Sequence, residues 1–195
     1  MSDTATPNPG WGKRLLFAVP LLAILAFGGL GYWGLQPGRD PNAVPTNMVG
    51  KPVPPFELPP LPGVPGGGLS RATLSAHDGP VLINVFASWC APCRAEHPVM
   101  MRLGERSDLP VYGIAYKNAP AKARAWLANL GNPYRAVGVL SDERADVGIA
   151  LGISGVPETF LIGSDGTIHF KHNGAITKPV LENELLPKLA ELGAE

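Results

Sequence analysis

The sequence has no excess of charge, few histidines and no internal repeat, and these absences exclude several classes of function. Sixteen basic and sixteen acidic residues give a formal net charge of zero. Nucleic-acid-binding proteins usually carry a strong positive field, so we expect no nucleic-acid partner. The four histidines show no H-x-x-x-H spacing and no pairing with cysteines of the kind that builds a metal cage. We therefore expect no bound metal.

Cysteine is scarce, and its placement is informative. The chain has two cysteines, Cys90 and Cys93, three positions apart. A disulfide between them would close a very small loop, which removes little entropy from the unfolded chain, so a structural role is disfavoured. The C-x-x-C pattern alone leaves two alternatives to redox chemistry, half of a zinc site and an inert pair. Zinc would need two further Cys or His ligands, and none has suitable spacing.

Charge is also absent from a 21-residue apolar stretch at residues 15–35. About 20 apolar residues span a bilayer core. A cleaved signal peptide is the alternative, but its apolar centre is normally shorter. Lys13 and Arg14 precede the stretch, so the positive-inside rule places residues 1–14 in the cytoplasm. We expect an uncleaved single-pass anchor, with the rest of the chain outside the cytoplasm.

The remaining chain predicts a stalk and one folded domain. Proline and glycine make up 16 of the 33 residues at 36–68, a composition that resists regular structure. We assign residues 36–50 to a stalk and residues 51–195 to an α/β domain with a central mixed sheet flanked by helices. Predicted strands lie at 53–58, 81–87, 111–116, 136–140, 159–162 and 167–171, and predicted helices at 91–106, 121–130, 143–151 and around 181–189.

The two cysteines lie where a predicted strand meets a predicted helix. The strand at 81–87 runs almost directly into Trp89, Cys90 and Cys93, and the helix starts within the motif. Free backbone N–H groups and the helix dipole favour negative charge at this position, so the thiol pKa of Cys90 should be lowered. The thiolate is the attacking species. Cys93, one turn later, is placed to resolve a mixed disulfide.

The strand VLINVFAS, the motif WCAPC and the following helix resemble the thioredoxin-fold superfamily over about residues 50–190. The segment GVPETF resembles the cis-proline loop of that superfamily, in which Pro157 would lie beside the cysteines and neighbouring backbone would receive the substrate. WCAPCRAEHP, YGIAYK, LGNPY and GVPETFLIGSDGTI occur in order and with matching spacing. Together they resemble the CcmG family, also called DsbE, of bacterial cytochrome c maturation.

That resemblance implies a single-pass protein of the bacterial inner membrane with its domain in the periplasm. It implies a reductant of the haem-binding cysteines of apocytochrome c, acting directly or through a CcmH-type partner. Electrons would come from a CcdA- or DsbD-type membrane reductase. No metal or organic cofactor is expected, because the redox-active group would be the Cys90–Cys93 disulfide itself.

Asn84 stands where thioredoxin carries a buried aspartate, and an amide cannot accept the proton of the resolving thiol. Glu96 is the first substitute candidate, because residues three apart share a helix face with Cys93. Glu158 is the second, from across the groove, and the resemblance assigns both acidic positions to the active-site region. We expect Trp89 to shield the cysteine sulfur, with plain core packing as the alternative.

Other functions stay open at this point. A general extracytoplasmic thioredoxin-like reductase of other substrates fits the same motif. A thiol peroxidase would place its reactive cysteine in a Pro/Thr-rich loop, which WCAPC does not resemble. Copper-delivery relatives use C-x-x-x-C with a distant histidine, and an interaction module with vestigial cysteines would show no reversible redox couple.

Overall fold

The structure, a computed structural model, describes residues 19–29 and 48–193. Residues 19–29 form a helix. No helix in these described parts combines the length and the hydropathy that a membrane crossing requires. The structure describes only residues 19–29 of the anchor predicted at 15–35 and only residues 48–50 of the stalk predicted at 36–50, and both stay predictions. The chain divides into two compact units, and the domain described below belongs to the second, Val44–Glu195.

Within residues 48–193, five strands form a mixed sheet in the order β5-β4-β3-β6-β7. Neighbouring strands run parallel from β3 to β5, whereas β6 and β7 are each antiparallel to the preceding strand in that order. The elements are β1 (Glu57–Leu58), β2 (Leu69–Ser70), α1 (Arg71–Leu74), β3 (Val81–Phe86), α2 (Ala91–Gly104), β4 (Val111–Tyr116), α3 (Pro120–Leu130), β5 (Val137–Leu140), a 3₁₀ turn (Asp142–Arg144), α4 (Ala145–Ala150), β6 (Glu158–Ile162) and β7 (Ile168–Asn173). A C-terminal helix follows, α-helical at Lys178–Val180, π-helical at Leu181–Leu185 and α-helical at Leu186–Glu191.

The central strand β3 separates two hydrophobic clusters. Its six side chains are all buried, as its continuous apolar run predicts. Side chains alternate across a sheet, so Leu82 and Phe86 join a cluster with α2, α3 and the C-terminal helix. Ile83 and Val85 join the other cluster, with the N-terminal segment and α4. Each residue of the sheet can therefore be assigned to one of its two faces. The cysteines belong to the cluster on the face that carries Leu82 and Phe86.

The segment that enters the domain flanks both outer strands of the sheet. Gly50 and Lys51 exchange backbone hydrogen bonds with Ile168 at the start of β7, at 2.8 and 3.0 Å. Residues 59–61 do the same for β5, through two hydrogen bonds of 2.9 and 2.8 Å. Strand β1, which lies between these two contacts along the chain, pairs with β2 and not with the main sheet.

Two short features differ from the sequence prediction. The edge strand expected at 53–58 is confined to Glu57–Leu58, paired with β2. The adjacent helix α1 was not predicted, since four residues are too few for a periodic pattern. Its N-terminus is nevertheless well specified, because Ser70 and Thr73 form a capping box in which each side chain accepts the other's backbone N–H.

Candidate active site

Cys90 and Cys93 form a disulfide at the first turn of α2. Cys90 is the N-cap residue, and its Sγ accepts the backbone N–H of Cys93 at 3.1 Å. Pro92 occupies the first turn, where a missing N–H leaves no bond unmade. Both cysteines are almost fully buried. Cys90 Sγ thus sits where unpaired helix N–H groups and the helix dipole stabilise a thiolate once the disulfide is reduced.

Glu96 lies one turn after Cys93, and it is buried, with 2% of its surface exposed. Its Oε1 accepts a hydrogen bond from Asn84 Nδ2 at 2.8 Å, and its Oε2 accepts one from the backbone N–H of Ile176 at 2.8 Å. Burial raises the pKa of Glu96 to about 7, against the lowering effect of these two hydrogen bonds. A carboxyl group with such a pKa can both accept and return a proton near neutral pH.

Asn84 connects Glu96 to two more buried side chains. Asn84 Nδ2 also donates to Thr159 Oγ1 at 3.3 Å, and Asn84 Oδ1 accepts the hydroxyl of Tyr134 at 2.7 Å. Burial raises the pKa of Tyr134 well above its ordinary value, and the nearby carboxyl of Glu96 adds to this effect. The sequence analysis assigned a role to Asn84 and Glu96. It included Tyr134 and Thr159, which lie 50 and 75 residues away from Asn84, only as members of the motifs LGNPY and GVPETF.

The loop before β6 carries the expected cis peptide bond, between Val156 and Pro157. The side chain of Glu158 binds this loop through hydrogen bonds. Its Oε1 accepts the backbone N–H groups of Ser154 and Gly155, at 2.8 and 3.2 Å, and the Ser154 hydroxyl. Glu158 pairs in register with Val85, so it lies on the face of the sheet opposite to Asn84 and Glu96. The expectation that Glu158 approaches the cysteines across the groove is therefore wrong.

A buried lysine completes the support of the loop. Lys171 Nζ lies 3.6 Å from Glu158 Oε2, with 3% and 2% of the two side chains exposed. It also donates to the backbone carbonyl of Gly152 at 2.5 Å. The pair neutralises two buried charges and ties β7 to the segment that leads into the cis-proline loop.

Trp89 precedes the cysteines and is 61% exposed. Core packing, the alternative considered for it, is therefore wrong. Its indole N–H donates to the backbone carbonyl of Lys117 at 3.2 Å, and the neighbouring Ser88 N–H donates to Asn118 Oδ1 at 2.6 Å. The loop after β4 thus holds the Trp89 ring at the surface, next to Cys90.

The sequence profile of the Redoxin family matches residues 48–185. The chain belongs to the Redoxin family. A thiol:disulfide interchange protein DsbE from Pseudomonas fluorescens is 41% identical to this redoxin over 180 residues, covering 92% of this chain and 96% of the relative. The thiol:disulfide interchange protein HelX from Rhodobacter capsulatus is 37% identical over 179 residues, covering 91% and 97%.

Solved structures agree on the fold of this redoxin. The thioredoxin domain of a thiol-disulfide oxidoreductase from Bacteroides vulgatus superposes with a TM-score of 0.59 at 19% identity, covering 72% of this chain and 97% of that one. The predicted thioredoxin fold, with a central mixed sheet and flanking helices, is confirmed. The predicted likeness to the DsbE family is confirmed as well, and with it a thiol–disulfide oxidoreductase.

Proposed function

We propose that this redoxin reduces protein disulfides in the periplasm during cytochrome c maturation. The observation that supports this proposal most directly is the Cys90–Cys93 pair at the start of α2, one turn before a buried carboxyl group whose pKa is near neutral. The names of the relatives, DsbE and HelX thiol:disulfide interchange proteins, support the same class of reaction.

The first step is attack by the Cys90 thiolate on one sulfur of a substrate disulfide. The substrate S–S bond breaks, a Cys90–substrate S–S bond forms, and the other substrate sulfur leaves as a thiolate that takes up a proton. Cys90 has the position for attack because the helix N-terminus stabilises its ionised form. The exposed ring of Trp89 offers an apolar contact for the substrate segment, and the backbone beside Pro157 receives it.

The second step releases the reduced substrate. Glu96 accepts the proton of the Cys93 thiol, since the two side chains are buried one helical turn apart. The Cys93 thiolate then attacks Cys90 Sγ, and the second substrate sulfur leaves and is protonated. Two electrons have passed from the Cys90–Cys93 pair to the substrate, and the Cys90–Cys93 disulfide is the oxidised product. One of the two protons on the reduced substrate comes from the Cys93 thiol through Glu96, and the other comes from solvent. No metal or organic cofactor takes part.

The physiological substrate we propose is the pair of haem-binding cysteines of apocytochrome c, reached directly or through a CcmH-type partner. An extracytoplasmic compartment oxidises exposed dithiols unless a reductant restores them. A CcdA- or DsbD-type membrane reductase would supply the electrons. The apolar stretch at residues 15–35 would anchor the domain to the inner membrane beside these partners.

A trapping experiment tests this function. Full-length Cys93→Ser protein, expressed in cells that make c-type cytochromes, should accumulate as a mixed disulfide through Cys90, because the resolving thiol is absent. Mass spectrometry of the trapped species should identify apocytochrome c or a CcmH-type protein. Cys90→Ser is the matched control and should trap no substrate. If the Cys93→Ser protein carries no partner while the wild-type protein is active in disulfide reduction, the assigned roles of the two cysteines are refuted.

The same preparations separate the rival functions. Catalysed consumption of peroxide at rates above those of disulfide reduction would establish a thiol peroxidase instead. Trapped partners unrelated to cytochrome c maturation would establish a general extracytoplasmic reductase. Both outcomes leave the redox role of Cys90 and Cys93 intact and overturn the proposed substrate.

A further inference from the structure

We propose that Tyr134 is a positioning residue that keeps the N–H side of the Asn84 amide turned towards the Glu96 carboxyl group. The proposal rests on the proton-transfer role assigned above to Glu96. It extends that role to a side chain that is linked to Glu96 through Asn84.

The two ends of the Asn84 amide have different hydrogen-bond partners. One N–H of Nδ2 is bonded to Glu96 Oε1 at 2.8 Å, and the same nitrogen donates to Thr159 Oγ1 at 3.3 Å. Oδ1 accepts the Tyr134 hydroxyl at 2.7 Å. An ionised carboxylate only accepts hydrogen bonds, so it requires the nitrogen end of the amide. The amide has a defined orientation because each of its ends has a partner of the right kind.

Rotation of the amide by half a turn would break this match. Oδ1 would then face the Glu96 carboxylate, and the Tyr134 hydroxyl would lose the acceptor to which it now donates. A buried donor without an acceptor carries a large desolvation penalty. Tyr134 therefore disfavours the rotated amide, which is the orientation that suits a protonated Glu96. The hydroxyl also polarises the amide, which strengthens its hydrogen bond to the carboxylate.

The aromatic ring of Tyr134 is itself held in place. It stacks on Phe86 with ring centroids 5.0 Å apart, and Phe86 stacks in turn on Trp126 at 5.3 Å. The tyrosine is almost fully buried. A fixed ring fixes the hydroxyl, and so the orientation of Asn84 does not depend on Glu96 alone.

The groups that face Glu96 come from several elements. Asn84 belongs to β3, Tyr134 to the segment before β5, and the Ile176 N–H to the segment before the C-terminal helix. Cys93, on the same helix as Glu96, becomes titratable once the disulfide is reduced. Titration of Glu96 in the oxidised protein therefore reports on the hydrogen-bond network without a contribution from the thiol.

The test is a measurement of the Glu96 pKa in the oxidised full-length protein. Carbon-13 NMR of labelled glutamate carboxyl groups follows the titration in detergent, with Glu96→Gln to assign the signal. In Tyr134→Phe we expect the pKa of Glu96 to rise from about 7 to about 8. Tyr112→Phe is the matched control. Tyr112 is a buried tyrosine of the other hydrophobic cluster, and its hydroxyl bonds to His77. Loss of this hydroxyl should therefore leave the pKa of Glu96 unchanged.

Two further variants make the result decisive. In an Asn84→Ala background, Tyr134→Phe should produce no additional change, because its effect passes through Asn84. Replacement of Tyr134 by 3-fluorotyrosine keeps the ring and makes the hydroxyl a stronger donor, so the pKa of Glu96 should fall. This second variant gives an answer even if Tyr134→Phe does not fold.

An unchanged pKa in Tyr134→Phe or in the fluorinated protein would overturn the proposal. So would an equal change in Tyr112→Phe, which would indicate a general loss of packing. The proposed catalytic role of Glu96 is judged separately, by the exchange rate of Glu96→Gln. If that variant exchanges disulfides at the wild-type rate, proton transfer by Glu96 fails, while the titrations still decide whether Tyr134 orients Asn84.

Discussion

The buried carboxyl group of Glu96 makes the stability of the oxidised protein depend on pH in an unusual direction. An unfolded glutamate has a pKa of 4.5, and burial raises that of Glu96 to about 7. Between these values the folded state binds more protons than the unfolded state, so stability falls as pH rises. At about 1.4 kcal/mol per pH unit, the full difference corresponds to about 3 kcal/mol. The contribution is complete below about pH 4.5 and is lost above about pH 7.

The perturbation that isolates this contribution is Glu96→Gln, which has no charge to titrate. The variant should be less stable at low pH, because a glutamine can offer only one oxygen and leaves the Ile176 N–H without its acceptor. Guanidinium unfolding of both oxidised proteins at about pH 5 and about pH 8 measures the difference between them. We expect the advantage of the wild-type protein to shrink by about 2–3 kcal/mol over this range.

The comparison with the variant is needed because His97 acts in the opposite sense. Burial lowers the pKa of His97, so its neutral form is favoured by folding and stability is lost as pH falls below about 6.5. Both proteins contain His97, so its effect cancels in the difference. A difference that stays constant from about pH 5 to about pH 8 would refute the raised pKa of Glu96.

Three further predictions follow from the site and its support. Glu96→Gln should slow disulfide exchange at neutral pH by about a hundredfold, measured by insulin or glutathione-disulfide reduction. Lys171→Met should lower the free energy of unfolding by about 3–5 kcal/mol, because it leaves the charge of Glu158 buried without its partner. Lys171→Arg should retain most of that stability, and urea unfolding of the wild-type protein and both variants measures the differences. Gly66→Ala should cost about 3 kcal/mol or more, since the backbone has φ +104° and a Cβ would lie 1.8 Å from a carbonyl oxygen. Gly67→Ala, with open space around it, should cost less.

Local signals in the sequence predicted the framework of the active site well. The apolar run at 81–87 and the strand expected at 111–116 correspond to β3 and β4. The junction between the predicted strand and the predicted helix placed Cys90 at the N-terminus of α2, where the structure has it. These features depend on neighbours within a few residues, which is why a single sequence predicts them.

Features that depend on distant parts of the chain were predicted less well. No local pattern in the sequence indicates that His97 is buried against Trp126, with its Nε2 3.1 Å from the carbonyl oxygen of Gly131. Glu158 was placed near the cysteines because it follows Pro157, whereas the strand register turns it to the other face. Which face a strand residue occupies depends on pairing between strands, and a shift of one residue reverses it.

Open strand edges invite other chains to add a strand and aggregate. The segment at residues 59–61 occupies the backbone groups of β5, and residues 50–51 do so at the start of β7. Polypeptide substrates of the kind proposed above would meet these backbone groups already paired. Such substrates would be directed away from β5 and from the start of β7, towards the loops around the disulfide.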